Sequence, residues 1–225
     1  VVANTLGVDT GDVKISATDT TKVPNTSATA ASSGTDLNGM AAYLASKNIK
    51  DRMAEHLCEL FQCKVSDIEF SAGKIVIFGE EKMTFSQAAE ECWKGRVSLS
   101  STGFYKTPDI YWDAEKRKGR PFYYFVYGAA VSEIVLDTFT GESRVVAVDI
   151  LHDVGRSINP AIDKGQIEGG FVQGLGWLSM EELVYADNGT LMTHSPATYK
   201  IPACSDVPMK LNISFYEGQG NLEET

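Results

Sequence analysis

The 225-residue chain is predicted to fold as an α+β protein, with long helices packed on mixed or antiparallel sheets. Three observations predict it. Apolar residues recur at helical spacing through residues 36–61, short runs rich in branched and aromatic residues fill 67–78 and 122–150, and an Asn-Pro pair opens a second long helix at 159–160. With 43% hydrophobic and 22% charged residues, the composition is that of an ordinary globular protein with enough apolar material for a core.

The elements follow in chain order. Residues 1–7, VVANTLG, read as the last turns of an apolar helix closed by Gly7. Residues 13–18, VKISAT, alternate and predict a strand. The helix predicted over 36–61 carries Leu37, Met40, Ala41, Leu44, Ile49, Met53, Leu57 and Phe61 on one face, with Asp36 as its N-cap. Residues 67–70 and 74–78 flank Ser71-Ala72-Gly73 and predict a hairpin. A short helix is expected over 86–93, capped by Ser86. Strands are expected over 122–126, 128–137 and 144–150, the last two joined by a turn at Thr140-Gly141-Glu142. A division into two subdomains is expected near residue 120.

Two segments stand out. Residues 25–39, NTSATAASSGTDLNG, hold a single large apolar side chain, Leu37. Such a stretch is either a solvated linker or a loop whose short hydroxyl and methyl side chains let the backbone approach a bulky polar ligand. The second is 158–183, INPAIDKGQIEGGFVQGLGWLSMEEL, where Asn159 caps and Pro160 takes the first helical position. This helix carries Gly165, Gly169, Gly170, Gly174 and Gly176. Each interior glycine costs about 0.5–1 kcal/mol relative to alanine. The sequence keeps them either for close packing of neighbouring elements or for a cofactor lying beside Gln166 and the bare backbone.

Several classes are excluded or weakened. A net charge of −10 argues against nucleic acid and against an anionic membrane as partners. No apolar run reaches the length of a membrane span. Cys58, Cys63, Cys92 and Cys204 show no CxxC spacing, and His56, His152 and His194 form no HExxH pair, so no metal ligands are assigned. The thiols read as reduced and cytoplasmic. Neither GxGxxG nor a P-loop occurs, and His194-Ser195 lacks a GxSxG elbow. His152-Asp153 reads as a loop cap or as a pair at a strand end, Glu181-Glu182 as a solvated helix end, and Trp112 with Tyr123-Tyr124 as core or interface.

Five longer motifs carry a family resemblance: PNTSATAASSGTDLNG at 24–39, SLSSTGFYKTP at 98–108, YGAAVSEIVLDTFTGE at 127–142, DVGRSINPAIDKGQIEGGFVQGLGWLSMEEL at 153–183 and THSPATYKIPACSDVP at 193–208. In collinear order over nearly the whole chain, these resemble the molybdenum hydroxylases, in particular the C-terminal part of the large molybdopterin-binding subunit of xanthine dehydrogenases. The resemblance implies an incomplete molybdopterin-binding domain of an oxidoreductase that takes hypoxanthine and xanthine to urate with water as the oxygen source. Electrons would leave to iron–sulfur clusters, FAD and NAD on a partner domain or subunit. A purine substrate, a dimeric whole enzyme and a cytoplasmic location are implied as well. The alternatives are a paralogue acting on aldehydes or other heterocycles and a non-catalytic module of the same fold.

Residue by residue, the resemblance implies cofactor binding by Thr29, Ala30, Ala31, Ser32 and Ser33, with Ala31 at the position most directly associated with the cofactor and Ala30 near the substrate. Gln166, in GQIEG, matches a residue that hydrogen-bonds the cofactor. The family's catalytic glutamate, a general base, belongs to a GEPP-type motif expected beyond Thr225, and a glycine-rich GTEMGQG-type segment is expected before Val1. Glu217, Glu223 and Glu224 lack the GEPP context, so no catalytic residue is assigned and the 225 residues alone are expected to be inactive.

Overall fold

The computed structural model describes residues 1–17, 19–22 and 33–218. The chain divides into two compact units, Val1–Pro121 and Phe122–Thr225.

The first unit begins with α1 (Val2–Leu6), which ends at Gly7 in the left-handed conformation, φ 66°. A Cβ there would strike the carbonyl of Phe70, so the position needs glycine twice over. The Gly7 carbonyl accepts the N–H of Gly73 at 2.6 Å, tying this turn to the hairpin below. Residues 13–17, expected as a strand, form none, and Ile15 is 96% exposed. The alternation is present, but among the described residues no neighbouring strand offers a hydrogen-bond ladder, and a strand needs one.

The long helix α2 spans Met40–Phe61. Asp36 does not cap it: the helical backbone already begins at Gly34, and Thr35–Gly39 forms a π turn that leads straight into α2. Asp36 therefore sits in a first turn, where an acidic side chain meets the positive end of the helix dipole. The far end is closed by Gln62 in the left-handed conformation, φ 53°.

Strands β1 (Ile68–Ser71), β2 (Lys74–Ile77) and β3 (Glu80–Thr84) form an antiparallel meander. Both connections are two-residue turns with positive φ at both positions, Ala72-Gly73 and Phe78-Gly79, the geometry that matches strand twist. The sequence reading misses β3 because EEKMT shows little apolar alternation.

Helix α3 (Phe85–Lys94) starts one residue before the expected cap at Ser86. Thr84 holds that role, since its hydroxyl accepts the Gln87 N–H while the Gln87 side chain accepts the Thr84 N–H. Met53, Ala54 and Leu57 from α2, Phe70, Ile75 and Ile77 from the meander and Ala88 and Cys92 from α3 interlock as the core. A small antiparallel pair, β4 (Tyr111–Asp113) with β5 (Lys118–Arg120), completes the unit. Trp112 on β4 is exposed rather than core.

In the second unit, residues 122–126 form no strand. Their aromatic rings pair locally, Phe122 with Phe125 and Tyr123 with Tyr124, both edge-on. Strands β6 (Gly128–Leu136) and β7 (Ser143–His152) form the expected hairpin. Its turn is held by the Asp137 carboxylate, which accepts the Phe139 N–H at 2.8 Å, and by Gly141 at φ 80°. A third strand, β8 (Lys210–Phe215), runs parallel to β7 on its other side. Helix α4 (Pro160–Ser179) opens as expected: the Asn159 side chain accepts the Ile162 N–H, with Pro160 in the first position. It packs beside β8 and ends four residues before the predicted Leu183.

Val148 on β7 is the only large apolar side chain of the described residues in this unit that is fully buried, while every residue of β6 is exposed. Among the described residues no helix is long and apolar enough to cross a membrane.

Candidate functional site

Of the six residues singled out as cofactor contacts, Ser33 and Gln166 fall within the described residues; Thr29, Ala30, Ala31 and Ser32 lie outside them. Ser33 is half-buried and stands immediately before the helical backbone, where its carbonyl accepts the Leu37 N–H at 3.0 Å. The π turn that follows widens the helix entrance by one residue, a local distortion found often at functional positions.

The 98–108 motif lies along the start of α2. Arg52 donates to the carbonyls of Ser98 and Ser100, at 3.3 and 3.1 Å, and the Asn48 amide donates to Ser101 Oγ at 3.3 Å. Nearer the start of the helix, Gly103 lies directly on the α2 backbone, so that a Cβ would meet the Ala41 carbonyl and come within 2.8 Å of the Ala45 nitrogen. That glycine is explained by packing alone.

On α4 the glycines separate into two groups. Among the described residues, Gly165, Gly169, Gly170 and Gly174 have nothing within 4 Å of an added Cβ, whereas Gly176 is buried and a Cβ there would meet Pro202 Cδ at 2.6 Å and Glu181 Oε1. Close packing within the unit therefore accounts for Gly176 and for none of the other four. Gln166, Gly169, Gly170 and Gln173 follow the i, i+3, i+4, i+7 pattern and are all exposed, so one face of the helix presents two amides flanking bare backbone. Ile167, Phe171, Val172 and Leu175 take the half-buried side.

The remaining candidates resolve into structure. Asp153 Oδ1 accepts the Gly155 N–H at 2.9 Å, and Gly155 has φ 63°, so the His152-Asp153 pair serves a turn. His194 Nδ1 contacts the Leu191 carbonyl at 3.1 Å, and Ser195 exchanges its bonds with Thr198, so neither is arranged as half of a nucleophile–base pair. Glu181 is not a solvated helix end. It lies past the end of α4 and accepts the Tyr199 hydroxyl at 2.6 Å, a bond that raises the Tyr199 phenol above its ordinary range. Sequence reasoning missed this link, for which a separation of 18 residues leaves no local signal.

A molybdopterin cofactor-binding domain profile matches residues 1–208. The chain belongs to the molybdopterin cofactor-binding domain family. Among its relatives, the xanthine dehydrogenase/oxidase of Gallus gallus is 44% identical over 214 residues, covering 95% of this chain and 14% of that protein. The xanthine dehydrogenase of Oryza sativa subsp. japonica is 41% identical over 225 residues, covering 97% of this chain and 15% of that protein. The chain thus spans about one seventh of the length of these molybdopterin-family relatives.

The fold is shared more widely. Quinoline 2-oxidoreductase from Pseudomonas putida 86 superimposes with a TM-score of 0.81 at 24% identity, over 98% of this chain and 27% of that one. Carbon monoxide dehydrogenase from Oligotropha carboxidovorans gives 0.77 at 20% identity, over 96% of this chain and 26% of that one. The α+β architecture is therefore shared with these solved structures.

Proposed function

We propose that this chain forms part of the cofactor-holding portion of a molybdenum hydroxylase of the xanthine dehydrogenase type, which takes hypoxanthine and xanthine to urate with water as the oxygen source. The observation that carries this reading is the contrast in identity: 44% to a xanthine dehydrogenase/oxidase against 24% to a quinoline oxidoreductase of the same fold, both across nearly the whole chain. The molybdenum cofactor, when bound, would supply the two-electron redox chemistry.

In the first unit, Thr29, Ala30, Ala31, Ser32 and Ser33 are assigned as cofactor contacts, Ala31 foremost. Their small side chains admit a bulky ligand to the main chain, and their hydroxyls and N–H groups donate to its polar edge. In the second unit, Gln166 is assigned as a hydrogen-bonding contact. An exposed amide flanked by glycines without packing partners suits such a ligand, which supports the assignment. No catalytic base is assigned within the chain, and the 225 residues alone are expected to oxidise no xanthine. The reading carries with it an iron–sulfur and FAD partner domain or subunit, a dimeric whole enzyme and a cytoplasmic location.

The test is an assay of the full-length enzyme with xanthine, hypoxanthine and an aromatic aldehyde in heavy-oxygen water, alongside elemental analysis. Urate carrying the heavy oxygen, with molybdenum in the protein, is the expected result. An enzyme that prefers the aldehyde, or that holds no molybdenum, overturns the proposal.

A further inference from the structure

The C-terminal end of α2 brings two cysteines together that no part of the cofactor reading uses. Gln62 takes the left-handed conformation, and the chain folds back so that the Cys63 N–H donates to the Cys58 carbonyl at 3.1 Å. These are the two positions of a Schellman closure whose side chains meet across the helix end. Among neighbouring groups, the Cys63 thiol acts most strongly on that of Cys58. Both residues are half-buried, unlike Cys92, which is sealed in the core, and Cys204, which is exposed in the other unit.

We propose that Cys58 and Cys63 form a paired-thiol modification site, closed to an intramolecular disulfide by exchange with a small-molecule disulfide. Cys63 attacks first. Its thiolate displaces one thiol from the reagent and leaves a mixed disulfide on Cys63. Cys58 then loses its proton and attacks the Cys63 sulfur, forming the Cys58–Cys63 bond and releasing the second small thiol. Two electrons and two protons pass from the cysteine pair to the reagent, which ends as two thiols. The order follows from the surroundings of Cys58. Burial, the neighbouring Cys63 thiol and the nearby Asp67 and Glu55 carboxylates push its thiol up to about 11, so it stays protonated at neutral pH. Capture of Cys63 removes one of those influences and leaves Cys58 beside the sulfur it must attack.

The sequence places both cysteines in one tryptic peptide, residues 53–64, between the cuts after Arg52 and Lys64. The full-length protein is incubated with oxidised glutathione, denatured, alkylated with iodoacetamide and mapped by mass spectrometry. Before oxidation the peptide carries two alkyl groups; afterwards it is expected two hydrogens lighter than the free dithiol and unalkylated, with dithiothreitol restoring both sites. In Cys63→Ser, and independently in Cys63→Ala, the closed form is lost. Two alkylated cysteines after oxidation, a lasting glutathione adduct on Cys63, or a bridge to the Cys92 peptide would each overturn the proposal. The wild-type map decides the matter even where a variant folds poorly.

Discussion

Replacing Gly169 and Gly176 of α4 by alanine, one at a time, separates the two reasons for which a helix keeps glycine. At Gly169 an added Cβ meets nothing within 4 Å, so alanine adds only its helical preference. That gain is about 0.5–1 kcal/mol, which raises the melting temperature of a chain this size by roughly 1–4 °C. At Gly176 the Cβ would lie 2.6 Å from Pro202 Cδ and 2.8 Å from Pro202 Cγ. A proline ring cannot rotate aside, so the backbone must shift, at about 1–3 kcal/mol for overpacking. Glu181, on the same side, would also be displaced from the Tyr199 hydroxyl. The net expectation for Gly176→Ala is a loss of about 1–2 kcal/mol and a melting temperature lower by roughly 2–8 °C. Thermal unfolding followed by circular dichroism compares the two variants, and molybdenum per chain is measured on the full-length enzyme. Gly169→Ala should melt no lower than wild type yet lose molybdenum several-fold, because the methyl fills the space assigned to the cofactor beside Gln166. If it melts as low as Gly176→Ala, protein packs against that stripe. If it keeps full molybdenum, the cofactor is not what the stripe is bare for, and the reasoning fails.

Two further outcomes are expected. Thr84→Ala removes the cap of α3 and should cost about 1 kcal/mol, read as a lower urea midpoint at unchanged slope, while Thr84→Ser should restore it; an unchanged midpoint in the alanine variant would contradict the capping box. Tyr199 is held above the ordinary phenol range by its bond to Glu181, so the bond contributes stability at all pH values below that range and loses it as pH rises through the raised value. An ultraviolet phenolate titration, taken as the difference from Tyr199→Phe, should show Tyr199 ionising late in wild type and earlier in Glu181→Gln. Simultaneous ionisation with the exposed tyrosines in wild type would sink the assignment.

The candidate site was legible in the sequence only in part. Gln166 could be put on a helix because Asn159-Pro160 starts it and the following residues keep helical spacing. Nothing local in the sequence distinguishes Gly169 from Gly176. That difference arises because the chain returns, some 26 residues later, with Pro202 against Gly176 and, among the described residues, nothing against Gly169. The chemistry of Thr29–Ser33 came from the motif and not from spacing, since short side chains alone fit a linker equally well.

What the sequence by itself determined are the features whose physics is closed within a few residues. Asn159 caps α4, Gly7 ends α1, Ala72-Gly73 and Gly141 turn their hairpins, and the apolar period of α2 selects Met53 and Leu57 for the core. The tertiary structure alone decided which extended runs become strands. Residues 13–17 and 122–126 have strand-like composition and no ladder, while Lys210–Phe215 finds β7 as a parallel neighbour more than 50 residues away. It also decided that Glu181 meets Tyr199. A helix cap is satisfied by its own neighbours, but a strand or a buried glycine depends on a partner, and which partner arrives is settled only when the whole chain packs.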